Sequence, residues 1–321
     1  MAQTDTLREY LVDEFVESYL EAEMTRREAL QRLAAITGSM AMATSLLAAC
    51  APNSPVAPPP APSATALPQP TPQPTSVVAG PGVSATDPDI MVEKMEFTGT
   101  DGAKLFAYAA RPKGNGPFPI VLVCQENQGV TAHIEDVTRR AAKSGYAALA
   151  VDLLSRQGGT AVATAAGPVQ GFLANTQANQ FVADFQSGLK HLQTQSYVRK
   201  DRVGMVGFCF GGGITWRVAT KTPELKAAVP FYGPIPALED VPDVQAAVLA
   251  MYGETDANVN RGIPDIEGAM KGGNKVFEKV IYPGAGHGFH NDTGGARYNA
   301  EASADAWKRT IAWFDKYLKS A

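Results

Sequence analysis

Val203-Gly204-Met205-Val206-Gly207-Phe208-Cys209-Phe210-Gly211-Gly212-Gly213 passes from an apolar, strand-like run into a glycine-rich turn with a cysteine at its apex. A Gly-x-Cys-x-Gly of this kind fits a strand-turn-helix whose central residue is forced into a strained backbone conformation, and only minimal neighbours let such a turn close. Cysteine stands where serine is usual. Two other readings are open: a dinucleotide loop, which belongs early in a chain with an acid on the next strand, and a plain buried cysteine in a turn. The spacing suits the first of these poorly.

Outward from this turn, strand-like and helix-like segments alternate. Upstream, Val92 to Phe97 and Lys104 to Ala109 flank Thr100-Asp101-Gly102 and read as a β-hairpin. Pro119 to Cys124 reads as a buried strand, His133 to Ser144 as a helix, Ala147 to Leu153 as a strand and Ala178 to Gln193 as a helix. Arg202 to Phe208 is the strand entering the turn and Gly212 to Thr220 the helix leaving it. Ala227 to Tyr232, Ala247 to Tyr252 and Val276 to Tyr282 are further strands, and Trp307, Ile311, Phe314 and Leu318 mark one face of a closing helix. Such alternation over roughly 230 residues predicts an α/β domain, a mainly parallel sheet with helices on both faces and ligands bound at the carboxyl ends of the strands.

Two residues complete a constellation with Cys209. Asp256, in Met251-Tyr252-Gly253-Glu254-Thr255-Asp256, follows an apolar strand, and His287, in Pro283-Gly284-Ala285-Gly286-His287-Gly288-Phe289, lies in a loop after the last strand. Nucleophile, acid, histidine is the chain order of the α/β-hydrolase fold. His287 is expected to take the thiol proton and later protonate the leaving group, with Asp256 fixing its tautomer; Glu254 is an alternative acid. His287 and His290 also form a His-x-x-His with Asp292 nearby, too weak a pattern to predict a metal, and no cofactor is expected. Cys124 reads as a core residue.

The domain is identified on these motifs as resembling the dienelactone hydrolase (carboxymethylenebutenolidase) family. Gly207-Phe208-Cys209-Phe210-Gly211-Gly212 resembles its nucleophile motif, Gly253 to Asp256 its acid motif and Gly286-His287-Gly288-Phe289 its histidine motif, and the likeness runs through nearly all of residues 92 to 320. The resemblance implies an ester or lactone hydrolase. It also implies that Glu126, in Gln125-Glu126-Asn127-Gln128-Gly129-Val130, helps generate the thiolate when substrate binds. Arg156, in Asp152-Leu153-Leu154-Ser155-Arg156-Gln157, would hold a substrate carboxylate. The oxyanion is expected to meet the backbone N–H of Phe210 and of Asn127. One departure bears on substrate: the second carboxylate-binding arginine of well-known members is missing shortly after the histidine, where Phe289-His290-Asn291-Asp292-Thr293 stands, with Arg297 further on. Arg297 compensates from a longer loop, or the pocket takes a neutral ester or lactone; the second is slightly preferred.

The N-terminal part has a different character. Thr25-Arg26-Arg27-Glu28-Ala29-Leu30 holds a twin-arginine pair ahead of the Leu33 to Ala49 stretch, and Leu47-Ala48-Ala49-Cys50 has the pattern of a lipobox. Residues 1–50 are therefore expected to be a leader and export signal cleaved before Cys50, with a lipid anchor at Cys50 on the extracytoplasmic side of a bacterial membrane. Residues 51–86, rich in Pro, Ala, Ser and Thr, read as a tether, and 87–321 as the hydrolase domain. The alternative for the start is an amphipathic helix, since Leu7, Leu11, Phe15 and Leu20 lie at near-helical spacing.

Of 321 residues, 45% are hydrophobic and 19% charged, with three cysteines, which excludes a disulfide scaffold. Residues 1–49 carry four of the 28 basic and eight of the 32 acidic residues, so the remainder has 24 of each and no net charge. A neutral domain with a pI near 5.7 for the whole chain is not expected to bind nucleic acid. The partners expected are a small ester or lactone and, through Cys50, a membrane; the oligomeric state is not legible. A non-catalytic ligand-binding lipoprotein on the same fold is the competing reading, disfavoured by the intact trio, and a redox thiol protein lacks a Cys-x-x-Cys.

Overall fold

The structure, a computed structural model, describes residues 2–20, 24–50 and 82–319, leaving aside the side chains of residues 2–6 and 50. Most of the expected tether, residues 51–81, thus lies outside the described residues. Described structure resumes at Gly82, earlier than the expected boundary at 87: the Val83 N–H donates to Asp136 Oδ1 at 2.7 Å and Arg139 donates to the Val83 carbonyl, so this stretch is fastened to the domain.

Eight strands form one sheet: β1 (Ile90–Thr98), β2 (Lys104–Pro112), β3 (Phe118–Cys124), β4 (Ala147–Val151), β5 (Val198–Phe208), β6 (Leu225–Phe231), β7 (Ala247–Gly253) and β8 (Phe277–Tyr282). Their order is β1-β2-β4-β3-β5-β6-β7-β8. The hairpin β1–β2 pairs Val92 with Ala110 and Phe97 with Leu105, and β2 runs antiparallel to β4; every other pairing is parallel. Parallel strands covered on both faces need apolar residues at nearly every position, not alternate ones. Hence Ile120 to Cys124 and Ala247 to Gly253 are buried without interruption.

The helices of the domain are α4 (Ala132–Lys143), the short α5 (Thr160–Ala166) and α6 (Gln170–Asn175), then α7 (Ala178–Gln193), α8 (Phe210–Lys221), α9 (Ala257–Asn260), α10 (Ile263–Gly272) and α11 (Ala300–Phe314). They cover both faces of the sheet, which is the expected α/β-hydrolase architecture. In α4, Ile134, Val137 and Ala141 turn inward at helical spacing, while Glu135 in the first turn and Arg140 and Lys143 in the last complement the helix dipole. Phe314 and Leu318 are fully buried at the end of the chain, as the closing-helix pattern predicts.

Ahead of the domain stand three helices, α1 (Ala2–Leu20), α2 (Arg26–Thr37) and α3 (Met40–Cys50). Thr25 starts α2 with a capping box: its side chain accepts from the Glu28 N–H while Glu28 accepts from the Thr25 N–H at 2.9 Å. Arg26 and Arg27, in the first turn, are exposed, whereas Ala29, Leu33 and Ile36 are buried. These helices pack on one another and on the domain: α1 meets α6, α7, α8 and α9, and α2 meets α6. Among the described residues, no helix is long and apolar enough to cross a membrane.

Candidate active site

The turn after β5 has the strain its sequence predicts. Cys209 sits at φ 56° and ψ −124°, a positive φ that a side-chain-bearing residue adopts only when its surroundings enforce it. The surroundings are backbone. A Cβ on Gly207 would lie 2.2 Å from the Gly211 carbonyl oxygen, and one on Gly211 would lie 2.2 Å from that of Gln125. The Cys209 N–H is fixed to the Phe231 carbonyl of β6 at 3.0 Å, and α8 begins with the next residue, so the thiol lies at a helix N-terminus, where partial positive charge favours a thiolate.

β7 and β8 deliver the partners. Asp256 follows β7, is 3% exposed, and caps α9 by accepting from the Val259 N–H at 3.1 Å. Its other oxygen lies 2.8 Å from Nδ1 of His287, leaving Nε2 to face the thiol. Glu254, the alternative acid, accepts instead from the Gly284 N–H at 2.8 Å and braces the histidine loop. Burial, and after it the charge of Glu14, push the Cys209 thiol up to about 11, against the pull of His287. Burial also disfavours the imidazolium of His287, but the charges of Asp256, Glu14 and Cys209 outweigh it and raise that pKa well above the ordinary value.

Glu14 belongs to α1, and its presence here is the main feature absent from the sequence-based expectations. Its carboxyl oxygens lie 3.4 and 3.3 Å from Cys209 Sγ and 3.1 Å from Asn127 Nδ2, which donates to one of them, with His287 Nε2 at 3.8 Å. One turn earlier, Tyr10 Oη is 3.4 Å from the same sulfur and 3.5 Å from His287 Nε2. Leu7, Tyr10, Leu11, Glu14, Phe15 and Ser18 are all buried, at the i, i+3, i+4 spacing of a single helix face. The apolar members of this face were legible as an amphipathic helix; Tyr10 and Glu14 inside the stripe were the available signal for a contact with the site. Among the described residues, Glu14, Cys209 and His287 are also the group whose ligand atoms, all within 4.8 Å, could hold a metal ion.

The other expected residues divide. Glu126 is buried near the thiol, where its charge opposes ionisation of Cys209, and it accepts from Asn291 Nδ2 at 2.5 Å; Asn291 thus occupies the stretch where the sequence departs from the family pattern. Arg297 lines the same cavity as Cys209, His287, Glu126 and Asn127. Asn127 lines it from the loop after β3, and Phe210 directly follows Cys209 at the start of α8. Arg156 does not join them. Its guanidinium is bound by Asp184 at 2.6 Å and Asp101 at 2.8 Å, so the arginine ties α7 to the β1–β2 turn. His290 is fully buried and stacked on Phe208 with ring centroids 4.9 Å apart, away from any joint role with His287; burial holds its pKa well below the ordinary value. Cys124 is a buried β3 residue, as expected. The Cys50 side chain lies outside the described residues.

Comparison with known proteins agrees with this fold. Residues 105–318 match the sequence profile of the dienelactone hydrolase family. A Methylorubrum extorquens protein provisionally named carboxymethylenebutenolidase is 35% identical over 253 residues, 75% of this chain and 86% of its own. A Bradyrhizobium protein provisionally named 2-oxo-3-(5-oxofuran-2-ylidene)propanoate lactonase is 30% identical over 232 residues, covering 68% of this chain and 92% of its own. The crystal structure of a provisionally named dienelactone hydrolase from Klebsiella pneumoniae superposes with a TM-score of 0.64 at 33% identity, covering 71% of this chain and 99% of its own.

Proposed function

Because the chain belongs to the dienelactone hydrolase family, a family of hydrolases, we propose that it cleaves carboxylic esters or lactones through a thioester on Cys209, with His287 and Asp256 completing the triad. The observation that carries this reading is the 2.8 Å contact between Asp256 and His287 Nδ1, which turns the free ring nitrogen toward a cysteine held at positive φ. In the forward step the thiol proton passes to His287 and the thiolate adds to the acyl carbonyl. The backbone N–H groups of Phe210 and Asn127 receive the oxyanion. Collapse expels the alkoxide, which takes the proton from His287, and leaves the thioester. Water, deprotonated by His287, then adds to the thioester; loss of the thiolate gives the carboxylic acid and restores Cys209 with its proton. With a lactone, the expelled oxygen stays on the same molecule.

A thiolate leaves easily but demands a carbonyl already activated, so strained or enol lactones and aryl esters are the substrates expected. The named lactonase among the relatives supports the lactone class. Arg156 is engaged by two carboxylates, leaving Arg297 as the domain's arginine in the cavity; this favours a neutral substrate or one with a single anionic group. Turnover of p-nitrophenyl acetate and of a small enol lactone, with an acyl adduct trapped on Cys209 by mass spectrometry, is the expected result. Unchanged turnover in Cys209→Ala would overturn it.

We further propose export and lipid anchoring at Cys50. The support is the twin-arginine pair, the Leu47-Ala48-Ala49-Cys50 sequence and the Pro-rich stretch that follows. The mass of the mature N-terminal peptide tests this: a diacylglyceryl Cys50 is expected, and an intact Met1 on the membrane-associated protein would rule it out.

A further inference from the structure

We propose that α1 is an intramolecular plug of the active site, so that the full-length chain is a closed precursor opened when its leader is removed or unseated. The proposal takes Cys209 and His287 as the reactive pair and to that extent rests on the hydrolase reading.

The geometry carries it in three ways. First, α1 places side chains where substrate must be. Glu14 and Tyr10 together contact Cys209 Sγ, His287 Nε2 and the Asn127 side chain, the groups that would bind and attack an acyl carbon. The free space left in this cavity is about 20 Å³, enough for about one water and too small for an ester. The Glu14 carboxyl group has the chemistry of a hydrolytic product, a carboxylate resting against thiol and imidazole.

Second, the polar atoms of Tyr10 and Glu14 on the inner face of α1 are satisfied by the site. A buried carboxyl group is costly unless hydrogen-bonded or paired, and a helix that merely covered an apolar surface would carry an apolar residue at position 14. Here Asn127, Cys209 and His287 supply the partners. Tyr10 follows the same rule.

Third, the docking is continuous beyond the site. Leu7, Leu11 and Phe15 are at most 1% exposed, and Ala29, Leu33 and Ile36 of α2 are equally covered. On the domain side, α6 comes so close to α2 that a Cβ on Gly171 would lie 2.3 Å from the Ala35 carbonyl oxygen, and Asn175 Nδ2 donates to the Ile36 carbonyl at 3.3 Å. The charge of Glu14 also helps keep the thiol protonated, so the plug both covers the nucleophile and quiets it.

Three variants of the full chain test the proposal. Tyr10→Ala/Glu14→Ala removes the inserted groups and leaves the apolar seat; Leu11→Asp retains them and unseats the helix; Glu9→Gln, on the exposed face, is the control. Two readouts are taken on each: the rate of Cys209 carbamidomethylation by iodoacetamide, measured on its peptide by mass spectrometry, and kcat/KM for p-nitrophenyl acetate. Both are expected to rise at least tenfold in the double variant and in Leu11→Asp, and to stay at the parental level in Glu9→Gln. Carbamidomethylation that is unchanged in the double variant overturns the plug, whether or not Leu11→Asp folds. Carbamidomethylation that rises without any ester turnover upholds the plug and overturns the hydrolase reading instead.

Discussion

Two segments converge on the Cys209 thiol and are held there by different means. The loops after β5, β7 and β8 are fixed by backbone: the elbow hydrogen bond to Phe231, the glycine contacts at 2.2 Å and the Asp256 cap on α9. Helix α1 is fixed by side chains laid on the domain surface, with its own backbone hydrogen bonds complete without the domain. A site built from strand ends survives as long as the sheet does. A helix docked through one face can leave without cost to that sheet, so the two regions differ in separability although both touch the same sulfur.

The sharpest way to break this contrast lies on the strand-end side. Asp256→Asn keeps size and capping ability but presents the wrong hydrogen-bonding partner to His287 Nδ1, and kcat in a chain with α1 unseated is expected to fall by about 10²–10⁴ with little change in thermal midpoint. A small effect would mean that the acid does not orient the histidine. Next, Gly207→Ala sets a methyl group against backbone that cannot move aside; a loss of about 3 kcal/mol or more in urea unfolding is expected, on the scale of severe core defects. A comparable loss of core stability from Leu11→Asp in α1 would contradict separability, because that change should register in hydrogen exchange of α1 and leave β3 and β5 protected.

The smallest effect is electrostatic. With α1 docked, burial and Glu14 hold the thiol at about 11, so carbamidomethylation of Cys209 should climb steeply only as pH approaches that value. In Glu14→Ala a negative charge beside the sulfur is gone, the thiolate is less disfavoured, and the midpoint of the pH–rate profile should move to lower pH. A midpoint that stays put or rises would show that Glu14 does not govern ionisation of the thiol.

Much of this molecule could be read from its chain. The sheet was legible because parallel, doubly covered strands such as Ile120 to Cys124 must be apolar throughout, and the elbow because its glycines flank Cys209 within one short run of sequence. Cys209, Asp256 and His287 could be grouped through chain order, and the structure brings their side chains together. What escaped the sequence depends on partners far away in it. Arg156 could be placed in a substrate role by likeness, but Asp184 and Asp101 claim it, and nothing local in the loop announces them. Tyr10 and Glu14 lie 199 and 195 residues from the sulfur they touch, and their helix looked complete as an amphipathic element.

The start of α2 has a final consequence. Arg26 and Arg27 face solvent while the inner face of α1 is turned into the domain, and the Thr25–Glu28 box secures that helix end independently of anything α1 does. On the proposed export route, a receptor that reads paired arginines could therefore engage them with the helix still seated, so that the outer face serves recognition while the inner face keeps the thiol covered.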